Sequence, residues 1–335
     1  MKYSRFRDVT LLLCLLCLAP LSADYDPLKL PEDFEAQTLD ITLHDEKRKR
    51  DIPIRIWLPP EQRPAPVILF SHGLGGSREN NPYLGTHWSA RGYVVIFLQH
   101  AGSDAEVWKQ APIRERRERL QQAASPTQYL ARVQDVSSLL NLLPELEALQ
   151  GRIDMNRIGM SGHSFGGGTT QGVSGQKKGR FDFSDKRLRA ALIMSPSLPK
   201  RGNAETMFNQ VSIPWFLMTG TKDGSPLDPN MDPATRAELF DYLPDGDHLL
   251  LILDAAEHHA FGDGTRRKRK RIAHHHTAIL ALSTAFWDTH LSEKEEAKHW
   301  LNSEAARTPL HEADVLKRKN AVSSTDLPKS GKTQP

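Results

Sequence analysis

A series of short, unbroken apolar runs constrains this chain more than any other feature. They are Pro66–Phe70, Tyr93–Leu98, Arg157–Met160, Leu188–Met194, Ile213–Met218 and His248–Leu253. Runs of this length without polar alternation are what strands covered on both faces look like. Between several of them the apolar spacing changes to that of a helix. Leu130, Val133, Val136, Leu139, Leu140 and Leu143 mark one helix, and Ile279, Leu280, Leu282, Phe286 and Leu291 mark another over Thr277–Leu291. Trp287 belongs with the core face of that second helix. Strands alternating with helices predict an α/β fold with a mostly parallel central sheet and helices on both faces. Upstream, Thr38–Leu43 and Ile52–Leu58 alternate in polarity around the charged turn Asp45–Asp51 and predict a leading antiparallel hairpin.

The chain has 335 residues, 39% of them hydrophobic and 25% charged, which excludes wholesale disorder, collagen and a multi-pass membrane protein. Residues 1–23 read as a secretory signal peptide: Lys2, Arg5 and Arg7 precede the apolar stretch Leu11–Ala19, with cleavage expected after Ala23. That stretch is shorter than the roughly 20 residues a bilayer needs. Cys14 and Cys17 both fall inside it, and neither follows the small residue that a lipoprotein acylation site wants. The mature chain would carry no thiol. That excludes a cysteine nucleophile and a disulfide framework, and it suits a secreted or periplasmic protein. Residues 24–302 are then expected to form one domain. A polar helical insertion at about 102–128 would carry Arg114, Arg116, Arg117 and Arg119. From 303 to 335 the chain is polar and aperiodic and is expected to be a disordered tail.

Gly162-His163-Ser164-Phe165-Gly166 follows the run Arg157–Met160 directly and leads into Gly167 and Gly168. A G-x-S-x-G sequence between a strand and a helix holds the serine on a sharp, strained turn with its hydroxyl exposed above the sheet. Without that context the motif is common, and glycine-rich helix starts are also ordinary packing features. A serine hydroxyl needs a base to take its proton, and the base needs an acid to orient it. Asp223 stands in the loop after Ile213–Met218, where such an acid belongs, although it could merely cap the turn. Asp228, Asp232 and Asp241 are rivals further from the strand end. His258 and His259 follow the next strand and compete for the base. Ser71-His72-Gly73-Leu74-Gly75-Gly76 follows Pro66–Phe70, and its turn can aim the Leu74 backbone N–H at a developing oxyanion, together with that of Phe165. The same glycines form neither G-x-G-x-x-G nor a G-K-[ST] phosphate loop.

Ser-His-Gly-Leu-Gly at 71–75, Gly-His-Ser-Phe-Gly-Gly at 162–167 and His-x-x-Phe at 258–261 resemble the α/β-hydrolase superfamily. Among its members the chain is similar to platelet-activating-factor acetylhydrolases and dienelactone-hydrolase-like serine esterases, over about residues 38–300. The resemblance implies the α/β-hydrolase fold and favours His258, three residues before Phe261, as the base. The chain departs from the dienelactone hydrolases proper, which use a cysteine where it has Ser164. In the acetylhydrolases the acid follows the strand directly after the nucleophile helix. Here that strand, Leu188–Met194, ends in Ser195-Pro196, so the acid is assigned to Asp223.

The expected function is a secreted serine hydrolase of carboxylic esters with a Ser164–His258–Asp223 triad. Its substrate would be a small-molecule or lipid ester, and the resemblance implies acetylhydrolase-like action on short acyl or phospholipid esters. A lipase, polyester hydrolase or acyl peptidase would use the same triad, and a non-catalytic binding protein could use the scaffold alone. No cofactor is expected. No metal site is expected at His274-His275-His276, which lack a partner at ligand spacing. The basic block Arg266–Arg271 can contact anionic surfaces or be a solvated, self-repelling insertion. It lacks the aromatic interleaving of a nucleic-acid site. Phe165, Phe208 and Trp108 are candidates for pocket walls or for core, and nothing in the sequence bears on the oligomeric state.

Overall fold

The computed structural model describes residues 25–199, 201–263 and 272–319. The expected signal segment 1–23 and the block Arg266–Arg271 lie outside them. Eleven strands occur among the described residues: β1 (Gln37–Asp45), β2 (Arg50–Leu58), β3 (Ala65–Ser71), β4 (Val94–Leu98), β5 (Ile153–His163), β6 (Lys177–Lys178), β7 (Phe181–Asp182), β8 (Leu188–Met194), β9 (Trp215–Lys222), β10 (His248–Glu257) and β11 (Val315–Lys319). All but β6 and β7, which pair with each other, join one sheet in the order β1-β2-β4-β3-β5-β8-β9-β10-β11.

The hairpin β1–β2 forms the first edge. Asp45 closes its turn by accepting the backbone N–H groups of Lys47 and Arg48, a job to which short carboxylates are suited. Every pairing from β4 through β3, β5, β8 and β9 to β10 is parallel. Parallel neighbours require crossovers, and helices supply most of them. These are α1 (Pro82–Ala90), α4 (Pro126–Leu142), α5 (Phe165–Val173) and α6 (Ala204–Phe208). Between β4 and α4 lie α2 (Glu106–Lys109) and α3 (Ile113–Ala123), in the region read as an insertion. The short α7 (Thr235–Glu238) precedes β10, while α8 (Ala273–His290) and α9 (Glu295–Asn302) follow it.

Period-2 alternation divides the core between two faces. Ile68 and Phe70 of β3, Leu192 and Met194 of β8 and Phe216 and Met218 of β9 meet Trp88 of α1 and Phe286 and Trp287 of α8. Their chain neighbours point the other way. Val67 and Leu69 join Val133, Val136, Leu139 and Leu140 of α4, while Trp215 and Leu217 pack with Phe208 and Leu239. Gly159 has a packing reason: a Cβ there would stand 2.7 Å from Cζ3 of Trp287. Phe208 is fully buried, so of its two sequence readings the core one holds.

The expected disordered tail 303–335 needs correction over residues 303–319; residues 320–335 lie outside the described residues. Residues 304–307 form a 3-10 turn and β11 pairs antiparallel with β10 from Ile252↔Val315 to His248↔Lys319. Backbone ladder bonds, not an apolar face, order this strand. Its anchor is buried Asp314, which accepts the N–H of Asp254 at 2.7 Å and of His311 at 2.8 Å. No helix among the described residues is long and apolar enough to cross a membrane.

Candidate active site

β5 ends at His163 and α5 begins at Phe165, so Ser164 alone makes the turn. Its backbone sits at φ 58° and ψ −117°, a conformation that side-chain-bearing residues rarely adopt. The flanking glycines permit it. A Cβ on Gly166 would run into the carbonyl of Ser71, one on Gly162 into the carbonyl of Gly166, and one on Gly167 to 2.8 Å from the Met194 oxygen. The turn is held by Ser164 N–H to Met194 O at 3.0 Å and Gly168 N–H to Ser164 O at 3.0 Å.

Three side chains from separate strand ends meet at this turn. His258 Nε2 lies 2.8 Å from Ser164 Oγ, and its Nδ1 lies 2.7 Å from Asp223 Oδ1. Asp223 is fully buried at the end of β9. Burial alone would raise its carboxyl. The hydrogen bond from His258 and the charge of Arg236 outweigh burial and hold it below the ordinary carboxylate range. Thr219 Oγ1 donates to the second carboxylate oxygen at 3.0 Å. An ionised Asp223 accepts the Nδ1 proton of His258 and leaves Nε2 free to accept from the serine.

The histidine is seated by the 3-10 turn His258–Phe261 that ends β10. Asn81 Nδ2 and the Tyr83 hydroxyl both donate to the Phe261 carbonyl. His163 Nε2 donates to the His258 carbonyl at 3.0 Å. The His163 ring packs against those of His258 and Phe261, and burial pushes its pKa down to about 3, so it stays neutral beside His258. It is His258, not His259, whose ring reaches Ser164, while His259 Nδ1 lies 3.5 Å from Glu257 Oε2.

The turn after β3 lies against the serine. A Cβ on Gly73 would stand 3.6 Å from Ser164 Cβ, an ordinary contact. Leu74 and Phe165 are thus on segments that flank Ser164. Gly75 takes φ +71° and packs under Trp108 and Leu120 of the insertion, and Trp108 Nε1 donates to its carbonyl at 2.8 Å. Trp108 is therefore a brace for this turn. Of the rivals to Asp223, Asp228 caps backbone N–H of Asn230 and Asp232 that of Ala234. Among the described residues no cluster of three or more His, Cys, Asp or Glu could hold a metal ion.

Arg236 was not nominated by the sequence. It is buried on α7, with Nε 3.2 Å from Asp223 Oδ1 and 2.7 Å from the Asp223 carbonyl. Its Nη1 donates to the carbonyls of Ser195 and Pro196 at 2.9 and 2.8 Å. The only sequence signal was an arginine thirteen positions after the acid, too common a pattern to notice.

Residues 55–111 and 102–196 match the family of platelet-activating factor acetylhydrolase, isoform II. The platelet-activating factor acetylhydrolase of Cavia porcellus is 24% identical over 229 residues, covering 60% of this chain and 49% of that protein. Those of Bos taurus and Canis lupus familiaris are each 23% identical, over 280 and 279 residues, covering 70% of this chain and 59% of theirs. The chain thus spans about half to three-fifths of the length of the curated relatives it matches. With this sheet order and this strand–turn–helix elbow the chain has an α/β-hydrolase fold, and by these matches it is similar to the platelet-activating factor acetylhydrolases.

Proposed function

We propose that this chain is an exported serine hydrolase of carboxylic esters, acting on short acyl or phospholipid esters as its acetylhydrolase-like relatives suggest. The observation that carries the reading is the relay Asp223–His258–Ser164, with contacts of 2.7 and 2.8 Å, ending on a serine at φ 58°. In the first half-reaction His258 Nε2 takes the Ser164 proton while Oγ attacks the ester carbonyl. The carbonyl oxygen becomes an oxyanion and accepts from the N–H groups of Leu74 and Phe165. Collapse breaks the C–O bond to the alcohol, which leaves with the proton held on His258. Water then enters, gives its proton to His258 and attacks the acyl-enzyme. A second tetrahedral intermediate releases the acid and restores Ser164. Asp223 stays ionised throughout and stabilises the imidazolium each time it forms. No cofactor enters this scheme.

Replacing Ser164 by Ala is expected to abolish turnover of a short-chain p-nitrophenyl ester while leaving the melting temperature unchanged. A fluorophosphonate should label the parent at Ser164 and the variant not at all. Undiminished turnover in a folded Ser164→Ala protein would end the proposal. Profiling acyl length and phospholipid headgroup then separates an acetylhydrolase preference from that of a lipase or polyester hydrolase.

A further inference from the structure

A second buried polar assembly lies behind the turn 71–76, and the triad does not use it. At its centre is Arg132 of α4, fully buried. Among the described residues no carboxylate lies within ion-pair distance of its guanidinium; Asp135 is engaged instead by Arg48, Arg50 and His100. The guanidinium spends its protons on two segments, one around His72 and one at Ser103. Nη1 donates to the His72 carbonyl at 2.7 Å, Nε to the Ser103 hydroxyl at 2.8 Å and Nη2 to the Ser103 carbonyl at 3.3 Å. Its Cζ lies 4.5 Å from the centroid of the Phe165 ring. A buried cation held by neutral acceptors is expensive, and burial lowers the Arg132 pKa to about 9. Such a group calls for a reason.

Its partners supply one. The two peptides that flank Leu74 are each pinned to a group that Arg132 grips. His72 Nδ1 donates to the Gly73 carbonyl at 2.6 Å, while its Nε2 accepts the His100 N–H at 3.1 Å, which fixes the tautomer. In a trans peptide the carbonyl and the N–H point in opposite directions. Holding the Gly73 oxygen on one side therefore aims the Leu74 N–H to the other. On the next peptide, Gly75 N–H donates to the Ser103 carbonyl at 2.9 Å, the same oxygen that Arg132 Nη2 reaches. The guanidinium also meets the ring of Phe165, whose own N–H is the second oxyanion donor of the proposed mechanism.

We propose that Arg132 is the positioning residue of the oxyanion hole, joining through one guanidinium the 71–75 turn and the Phe165 side of the nucleophile turn. The proposal rests on the esterase reading above. It predicts a role in the tetrahedral state and none in ground-state binding. In Arg132→Lys, which keeps the charge but loses the planar fork, kcat on a p-nitrophenyl ester should fall about 10- to 100-fold, less than for outright deletion of a donor. KM should stay within about twofold, the pattern of an interaction made only in the transition state. The Ki of a trifluoromethyl ketone, whose adduct with Ser164 carries an oxyanion, should rise by the same factor as kcat falls.

Rates are to be normalised to sites titrated with a fluorophosphonate, so that unfolded protein does not count. Ser103→Ala removes a single hydroxyl and keeps the fold test independent of Arg132. It should lower kcat and raise Ki together by about three- to tenfold. Parallel movement of kcat and Ki in either variant supports the proposal. Unchanged kcat per titrated site, or a loss confined to KM or to melting temperature, overturns it; if Arg132→Lys does not fold, Ser103→Ala alone decides. Failure of the underlying reading looks different: the parent protein itself would neither label nor turn over.

Discussion

Asp223 and Arg236 share a burial problem that neither solves alone. A carboxylate and a guanidinium, both removed from water, cost least when each satisfies the other and the remaining lone pairs and protons find partners. Here backbone carbonyls of Ser195, Pro196 and Gly224 take the spare protons of Arg236. The pair keeps Asp223 anionic against His258, so its charge and not merely its shape matters. Asp223→Asn should leave the packing intact and cut kcat by about 10⁴-fold, because an amide stabilises the wrong imidazole tautomer. His259→Ala is the matched control: its ring pairs with Glu257, and steady-state kinetics should show a change within about threefold, as for a surface substitution. A large loss in that control, or a mild one in Asp223→Asn, would reassign the roles.

At the scale of elements, the edge strand β11 makes a prediction of its own. Truncation after residue 310 removes the ladder from Val315 to Lys319 and the buried Asp314 that ties Asp254. Lost ladder bonds should cost roughly 2–4 kcal/mol in urea unfolding. The uncovered edge of β10 should also promote association visible by light scattering. A truncated chain as stable as the parent would show that β11 contributes nothing. This strand was invisible in the sequence for a physical reason. Leu316 packs on the core, Val315 stays largely exposed, and the ordering comes from backbone groups that every residue possesses. The central strands were legible because burial on both faces writes an apolar run into the sequence. The side chains of Ser164, His258 and Asp223 could be nominated because each follows such a run at a strand end. Arg132 and Arg236 could not. A lone arginine in a helix reads as solvent-facing, and the carbonyls that bury these two come from strand ends far away in the chain.

Across the whole molecule, a set of neutral histidines sets the acid limit of stability. Burial lowers His87, His100, His248 and His290 to about 4, His163 to about 3 and His72 well below its usual value. Partners reinforce this at some sites: the charge of Arg132 disfavours a proton on His72 and on His100. In the unfolded chain these rings would protonate near pH 6.5. Between that pH and about 4 the unfolded state binds more protons than the folded one, so stability falls as pH falls. Asp135, held at about 2, adds a loss only at lower pH, since its contribution is complete above the ordinary carboxylate value. Thermal unfolding followed from pH 8 to pH 4 should show a melting temperature that declines from about pH 6.5 downward, with about five protons taken up on unfolding near pH 5. A flat profile until pH 4 would mean that these rings are not held neutral.

The guanidinium of Arg236 touches the ends of two adjacent strands, β8 through Ser195 and Pro196 and β9 through Asp223. Its reach bears on how a lineage of such proteins can drift. A carboxylate arising one strand earlier would arrive beside a cation already installed, and one disappearing from the later strand would leave that cation still gripped by carbonyls. Migration of the acid between neighbouring seats could then proceed by single substitutions, with no intermediate stranding an anion in the interior.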